Sequence, residues 1–174
     1  MSKINYDLTK IKGIVFDVDG VLSPATVPMG DDGRPCRMAN LKDGYAMQHA
    51  VKKGLKFAII TGADTESITR RFNIIGIKDI YLKASYKMKY LTEWMAKEGL
   101  EPEQVAYVGD DIPDIEPMRA VGLSVTPADG AHELKQFATY ISPYDGGRGV
   151  ARDLVEQVLA AQGLWASDAE AFGW

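Results

Sequence analysis

The most constraining feature of this chain is a set of short apolar runs separated by longer amphipathic ones. Gly13-Ile14-Val15-Phe16, Leu55-Lys56-Phe57-Ala58-Ile59-Ile60 and Gln104-Val105-Ala106-Tyr107-Val108 put apolar side chains on successive positions. A strand with one wet face alternates, so successive apolar positions point to strands covered on both faces, as in a parallel sheet. Shorter candidates are Asp79 to Lys83, Gly122 to Thr126 and Thr139 to Ile141. Helical patterns fill the intervals: Gly44 to Lys53, Thr65 to Ile75, Lys87 to Glu98, Ile112 to Ala120, Ala131 to Phe137 and Val150 to Gln162. Several stop at a glycine, as at Gly54, Gly76, Gly99 and Gly163. Strand–helix–strand alternation requires right-handed crossovers, which predicts an α/β fold with a mostly parallel sheet and helices on both faces. Such sheets carry their functional residues beyond the carboxyl ends of the strands.

A length of 174 residues predicts one domain, about 1–165, followed by a tail, 166–174, with no period. That tail is expected to be loose or docked on a neighbour. Residues 21–42 interrupt the alternation with Pro24, Pro28, Pro35 and an Asp31-Asp32-Gly33 centre, which predicts a small β-hairpin arm after the first strand. With 46% apolar residues, 25% charged residues and a net charge of −4, the chain has an ordinary globular balance and no general nucleic-acid-binding surface. The amino terminus lacks a signal-like apolar run and no stretch is long enough to span a bilayer, so a cytoplasmic protein without a membrane partner is expected. The single cysteine, Cys36, excludes a disulfide within the chain and a cysteine metal site. His49 and His132 fall on predicted helices, at the surface or half-buried.

Three strand ends carry chemistry. The first runs into Asp17-Val18-Asp19-Gly20, where a curled backbone could bring two carboxylates to one site; an ordinary Asp-Gly turn is the alternative. The second ends in Thr61-Gly62, a hydroxyl and a flexible amide able to hold an anion, or simply a helix cap. The third ends in Gly109-Asp110-Asp111-Ile112-Pro113-Asp114. Capping accounts for one of its three carboxylates, whereas the mutual repulsion of all three asks for a cation. Hard oxygen donors from two strands suit Mg²⁺ together with a substrate phosphate.

In this order, Asp17-x-Asp19-Gly20, Thr61-Gly62, a lysine and Gly109-Asp110-Asp111-x-x-Asp114 resemble the four motifs of the haloacid dehalogenase superfamily, over about Ile11 to Gly163. The resemblance implies a Rossmann-like fold with Asp17 as nucleophile and Asp19 as general acid/base. It implies Mg²⁺ held by Asp17, Asp19 (through its backbone carbonyl) and Asp110, with Asp111 and Asp114 in support. It also implies phosphate contacts from Thr61, Gly62 and Lys87. Lys83 and Lys89 lie close by, but Lys87 falls in the first turn of the predicted helix. The spacing leaves no room for a cap domain.

Asn40-Leu41-Lys42-Asp43-Gly44, Arg71 and Gly146-Gly147-Arg148-Gly149 further resemble the capless 3-deoxy-D-manno-octulosonate 8-phosphate phosphatases. That resemblance implies a homotetramer in which neighbouring subunits complete the site, in lipopolysaccharide precursor synthesis. The substrate would be a sugar-acid phosphate, with Lys42, Glu66, Arg71 and Arg148 as further substrate residues. Arg71 adjoins Arg70, and one of the two can instead face solvent. Ser23-Pro24-Ala25, Ala63 and Tyr86 depart from many relatives near where the sugar should lie, which keeps phosphatases of nine-carbon sialic-acid-like sugars as an alternative. A receiver-like phosphorylation switch has its acidic residues in a different order. A structural subunit would not need every motif acid.

Overall fold

The computed structural model describes residues 3–173. Six strands form one sheet: β1 (Gly13–Phe16), β2 (Lys56–Ile60), β3 (Asp79–Tyr81), β4 (Val105–Val108), β5 (Leu123–Thr126) and β6 (Tyr140–Ile141). All pairings are parallel and the order is β3-β2-β1-β4-β5-β6. The helices are α1 (Leu41–Lys52), α2 (Glu66–Ile74), α3 (Lys87–Glu98), α4 (Ile115–Arg119), α5 (His132–Lys135) and α6 (Val150–Ala161). The predicted elements are therefore all present, within a few residues at their ends. The segment expected as a helix over 112–120 is divided into a 3-10 turn, Ile112–Asp114, and α4.

The consecutive apolar runs are explained by burial on both faces. Ile14 and Phe16 of β1 pack with Ala46, Met47, Leu154 and Val158 from α1 and α6. Val15, between them, points the other way, into a core with Leu91, Trp94 and Met118. From β1 the chain builds outward to β2 and β3, then returns to place β4 on the opposite side of β1. The order reverses between β1 and β4, so a crevice opens beyond their carboxyl ends. No helix among the described residues is long and apolar enough to cross a membrane.

One expectation is met in minimal form and two are corrected. The arm over 21–42 is a small hairpin reduced to one antiparallel bridge, Met29 to Pro35, that joins its legs. Cys36 N–H donates to Pro28 O at 2.8 Å and Gly30 N–H to Arg34 O at 2.8 Å, while Pro28 and Pro35 have no N–H with which to extend a ladder. The described part of the tail, 166–173, packs on its own chain: Tyr45 Oη–H donates to Ala171 O, Lys53 pairs with Asp168, and Ala171 is buried. His49, expected at the surface or half-buried, is fully buried against Tyr45 and Trp165. His132 is exposed as expected.

Candidate active site

Asp17 is the first residue past β1, and its N–H donates to Val108 O of β4 at 3.0 Å, so its side chain stands at the β1/β4 crevice. The next residues do not continue as a strand. The amides of Val21, Leu22 and Ser23 all turn back onto Val18 O, at 3.2, 2.9 and 2.9 Å, and Gly20 adopts φ +78° at the bend. This curl brings Asp19 to the same mouth as Asp17, although alternation along an extended chain would have separated them. A Cβ on Gly20 would stand 1.9 Å from Asp110 Oδ2, so the bare backbone is also what lets the β4 loop close in.

The Gly146-Gly147 segment backs this loop. Gly147 N–H donates to Val21 O at 2.7 Å, Asn40 Nδ2–H donates to Gly147 O at 3.3 Å, and a Cβ on Gly146 would stand 1.9 Å from Gly20 O.

Lys87, at the first position of α3, is buried and donates to both Asp17 Oδ2 and Asp114 Oδ1 at 2.7 Å. The other two candidate lysines face elsewhere: Lys83 pairs with Asp64 at 3.0 Å, and Lys89 is exposed with its ammonium 5.7 Å from the Tyr90 ring centre. Asp114 is fully buried and collects four donors. Lys87 and the Tyr107 hydroxyl reach Oδ1 at 2.7 Å each, and the amides of Asp110 and Asp111 reach Oδ2 at 3.1 and 3.4 Å. Asp111 accounts for the capping share of the cluster, since its Oδ1 accepts from Ile112 N–H at 2.8 Å.

One carboxylate oxygen each from Asp17, Asp110 and Asp114 lie within 4.8 Å of one another. Burial, reinforced by the charge of Asp114, pushes Asp17 up to about 6 even though Lys87 pulls it down. Burial and the charges of Asp17 and Asp114 push Asp110 up to about 8. Burial alone would lower Lys87, but the two carboxylates it bridges outweigh that and hold its ammonium above the ordinary lysine range. One lysine therefore leaves this group with excess negative charge. An all-oxygen donor set with that excess fits a small hard cation.

Thr61, at the end of β2, is buried; its N–H donates to Tyr81 O at 3.0 Å and its Oγ1 accepts from Ala63 N–H at 3.2 Å. Gly62 lines the mouth with Asp17, Asp19, Lys87 and Asp110, around about 420 Å³ of open space. Of the sugar-side candidates, Arg71 lines a separate cavity of about 230 Å³ beside Val18, with its Nη2 2.3 Å from where a Cβ of Gly44 would stand. Lys42 and Arg148 are exposed, and Glu66 is engaged by Arg70 at 2.7 Å on the surface of α2.

Two residues of this region were not singled out from the sequence for what they do here. Tyr107 is the hydroxyl donor to Asp114 described above. Arg37, on the returning leg of the arm, forks onto Asp19: Nε–H to Oδ1 and Nη2–H to Oδ2, both at 2.7 Å.

A carboxylate after the central strand, a second two residues on, and a buried lysine bridging to the acidic loop of the neighbouring strand form a carboxylate–lysine site of the haloacid dehalogenase type. The model of the haloacid dehalogenase-like hydrolases matches residues 40–122. The chain is 38% identical over 153 residues to the 3-deoxy-D-manno-octulosonate 8-phosphate phosphatase KdsC of Escherichia coli, covering 88% of this chain and 81% of that one. The phosphatase of the same description from Yersinia pestis superposes with a TM-score of 0.86 at 36% identity, over 90% of this chain and 84% of that one. The Moraxella catarrhalis phosphatase, solved with magnesium, phosphate and 3-deoxy-D-manno-octulosonate (KDO), gives 0.89 at 29% identity over 96% of both chains. The chain belongs to the 3-deoxy-D-manno-octulosonate 8-phosphate phosphatase family of haloacid dehalogenase-like hydrolases.

Proposed function

We propose that this chain is a Mg²⁺-dependent phosphomonoesterase that releases inorganic phosphate from a sugar-acid phosphate, 3-deoxy-D-manno-octulosonate 8-phosphate. The observation that carries this reading is Lys87 seated between Asp17 and Asp114 at 2.7 Å from each, with Asp110 beside them. Asp17, Asp110 and the backbone carbonyl of Asp19 would hold Mg²⁺, with Asp111 and Asp114 in support. The bound ion would offset the repulsion between an anionic nucleophile and a phosphate dianion.

The chain's own residues carry the transfer. The Asp17 carboxylate attacks phosphorus in line with the ester oxygen, the P–O bond to the sugar breaks, and Asp19 delivers its proton to the departing oxygen. Asp19, now a carboxylate, takes a proton from water. That water attacks phosphorus, and the bond to Asp17 breaks to regenerate the free carboxylate and release phosphate. Lys87 neutralises charge on Asp17 and the phosphoryl group, and Thr61 with the Gly62 amide holds phosphoryl oxygens. Arg71 and Lys42 supply cations for the far, acidic end of the substrate, with Glu66 and Arg148 as outer contacts.

The reading extends to assembly and place. With no cap domain among the described residues the mouth is open, and a homotetramer whose neighbouring subunits complete the pocket would exclude water from it. The reaction belongs to lipopolysaccharide precursor synthesis in the cytoplasm.

Phosphate release from a panel of sugar-acid phosphates, with Mg²⁺ and then with EDTA, tests the function. Preference for the eight-carbon acid, loss with the chelator and loss in Asp17→Asn are expected. Undiminished turnover in Asp17→Asn would overturn the mechanism, and a preference for a nine-carbon acid would overturn the substrate.

A further inference from the structure

We propose that Arg37 is a specificity-determining residue that latches Asp19 through its carboxylate, and that a carboxylate on the substrate opens the latch by taking Arg37 for itself. The proposal rests on the reading of Asp19 as the acid/base of phosphoryl transfer.

The fork from Arg37 occupies both oxygens of Asp19 at 2.7 Å. Bidentate pairing of this kind fixes orientation as well as adding strength, and a lysine cannot reproduce it. Each oxygen keeps a second lone pair, but the fork fixes the plane of the Asp19 carboxylate against the arm. One of the two bonds has to open before Asp19 can turn toward a departing ester oxygen or an incoming water.

The main chain around Arg37 is anchored on both sides, by Cys36 N–H to Pro28 O at 2.8 Å and by Met38 N–H to Ser23 Oγ at 3.0 Å. The freedom left is that of the side chain, which spans from Asp19 at the catalytic mouth to the wall of the 230 Å³ cavity. That cavity is also lined by Arg71, Asn40 and Asp43. Asp43 is buried; its Oδ1 accepts from Arg152 N–H at 2.8 Å, and its Oδ2 has no hydrogen-bond partner among the described residues. Arg37 and Arg71 are the cationic side chains bordering this cavity, whose wall is otherwise largely apolar, with Val18, Leu22, Met47 and Phe72. Two cations beside an apolar wall suit an acid group carried on a carbon skeleton, and Arg37 is the one of the two that also holds Asp19.

Competition between substrates follows from counting bonds. A substrate carboxylate replaces Asp19 on the guanidinium one for one, so charge-assisted hydrogen bonds are conserved while Asp19 is released. A neutral sugar phosphate opens the latch with no replacement. The Asp19 side chain is 46% exposed and Arg37 only 16%, so the carboxylate is the partner that water can take up on release.

The test compares phosphate release from a sugar-acid phosphate and from its carboxamide, in wild type, Arg37→Lys and Arg37→Met, with calorimetric binding of the dephosphorylated acid as a readout that needs no turnover. Wild type is expected to favour the acid by about tenfold or more in kcat, the worth of one charged hydrogen bond. Arg37→Met should raise kcat on the carboxamide, lower kcat/KM on the acid by about tenfold or more, and weaken binding of the free acid by a similar factor. Arg37→Lys keeps the charge without the fork. It should raise carboxamide kcat as Arg37→Met does, while holding free-acid affinity within about threefold of wild type. A wild type that turns over acid and amide equally overturns the latch, as do variants that slow both substrates by one common factor. An Asp19→Asn enzyme with full turnover would instead overturn the acid/base reading beneath it, and failure to release phosphate from any phosphomonoester would overturn the phosphatase itself.

Discussion

Lys87 Nζ lies 2.7 Å from Asp17 Oδ2 across seventy positions of sequence, and the same ammonium holds Asp114 Oδ1 at 2.7 Å. One cation thus stands between a carboxylate at the end of β1 and another in the turn after β4. Without it, two buried anions would face each other in a low-dielectric pocket, where removing one partner of a buried pair costs about 3–5 kcal/mol. Lys87→Met is expected to lose that much stability at neutral pH and to recover part of it by pH 5, since Asp17, pushed up to about 6 even with Lys87 beside it, rises further once that cation is gone and takes up a proton. Phosphate release should fall by about 10²–10³-fold, the usual effect of losing one electrostatic contact to the reacting group. Thermal midpoints at the two pH values and initial rates check both halves. A variant as stable at pH 7.5 as wild type would show that Lys87 does not hold the acids together.

The carboxylates themselves set a pH dependence. Asp17 is raised to about 6 and Asp110 to about 8, against about 3.9 in the unfolded chain. Between those limits the folded, ion-free protein binds more protons than the unfolded one, so its stability is highest at the acid end and falls as pH rises through about 4 to 8. Mg²⁺ should reverse this by displacing the protons. Titration calorimetry in buffers of different ionisation enthalpy is expected to report release of about one proton on Mg²⁺ binding at pH 7, with affinity rising until pH passes about 8. Proton-neutral binding at pH 7 would contradict the assignment of Asp110 to the ion.

Tyr107 gives a smaller and sharper test. Its hydroxyl is buried and donates to Asp114 Oδ1, and the nearby carboxylates together with burial raise it well above the ordinary tyrosine range, so it stays a donor. Tyr107→Phe removes one of four donors to Asp114 and leaves the ring packing in place. A loss of about 1–2 kcal/mol in stability is expected, with turnover reduced severalfold through looser placement of Lys87. Denaturant unfolding and steady-state kinetics on one preparation measure both.

What was legible in the sequence divides along a physical line. The β1, β2 and β4 runs declared their burial because strands covered on both faces have no polar positions to confuse the pattern. The motif acids could be placed because strand ends converge wherever the sheet goes, whereas Lys87, on a helix, follows only from the resemblance. Arg37 could not, since the proline-broken arm has no period and its fork onto Asp19 exists only once the arm has folded back. The hydroxyl of Tyr107 was hidden by the same consecutive burial that made β4 obvious, because such a run does not say which face a side chain takes. The tail, read as loose or docked on a neighbour, lies on α1 through Tyr45 and Ala171, a contact that no local pattern announces.

The last prediction separates backbone strain from crowding at the site. Gly20 has φ +78° and Gly33, at the tip of the arm, has φ +75°, so an alanine at either position meets the same conformational resistance, about 1 kcal/mol. Their surroundings differ. A Cβ on Gly33 has nothing within 4 Å, whereas one on Gly20 would lie 1.9 Å from Asp110 Oδ2 and 2.3 Å from its Cγ. Gly33→Ala is therefore expected to show the strain alone, with Mg²⁺ affinity and turnover unchanged. Gly20→Ala should show the strain and in addition swing Asp110 out of the carboxylate cluster, weakening Mg²⁺ binding by about tenfold or more, the range seen when groups that orient metal ligands are disturbed. Stability measured without the ion, set beside Mg²⁺ affinity in both variants, resolves the two contributions. If Gly20→Ala binds Mg²⁺ as tightly as Gly33→Ala, the close approach of the β1 and β4 loops is not what seats Asp110.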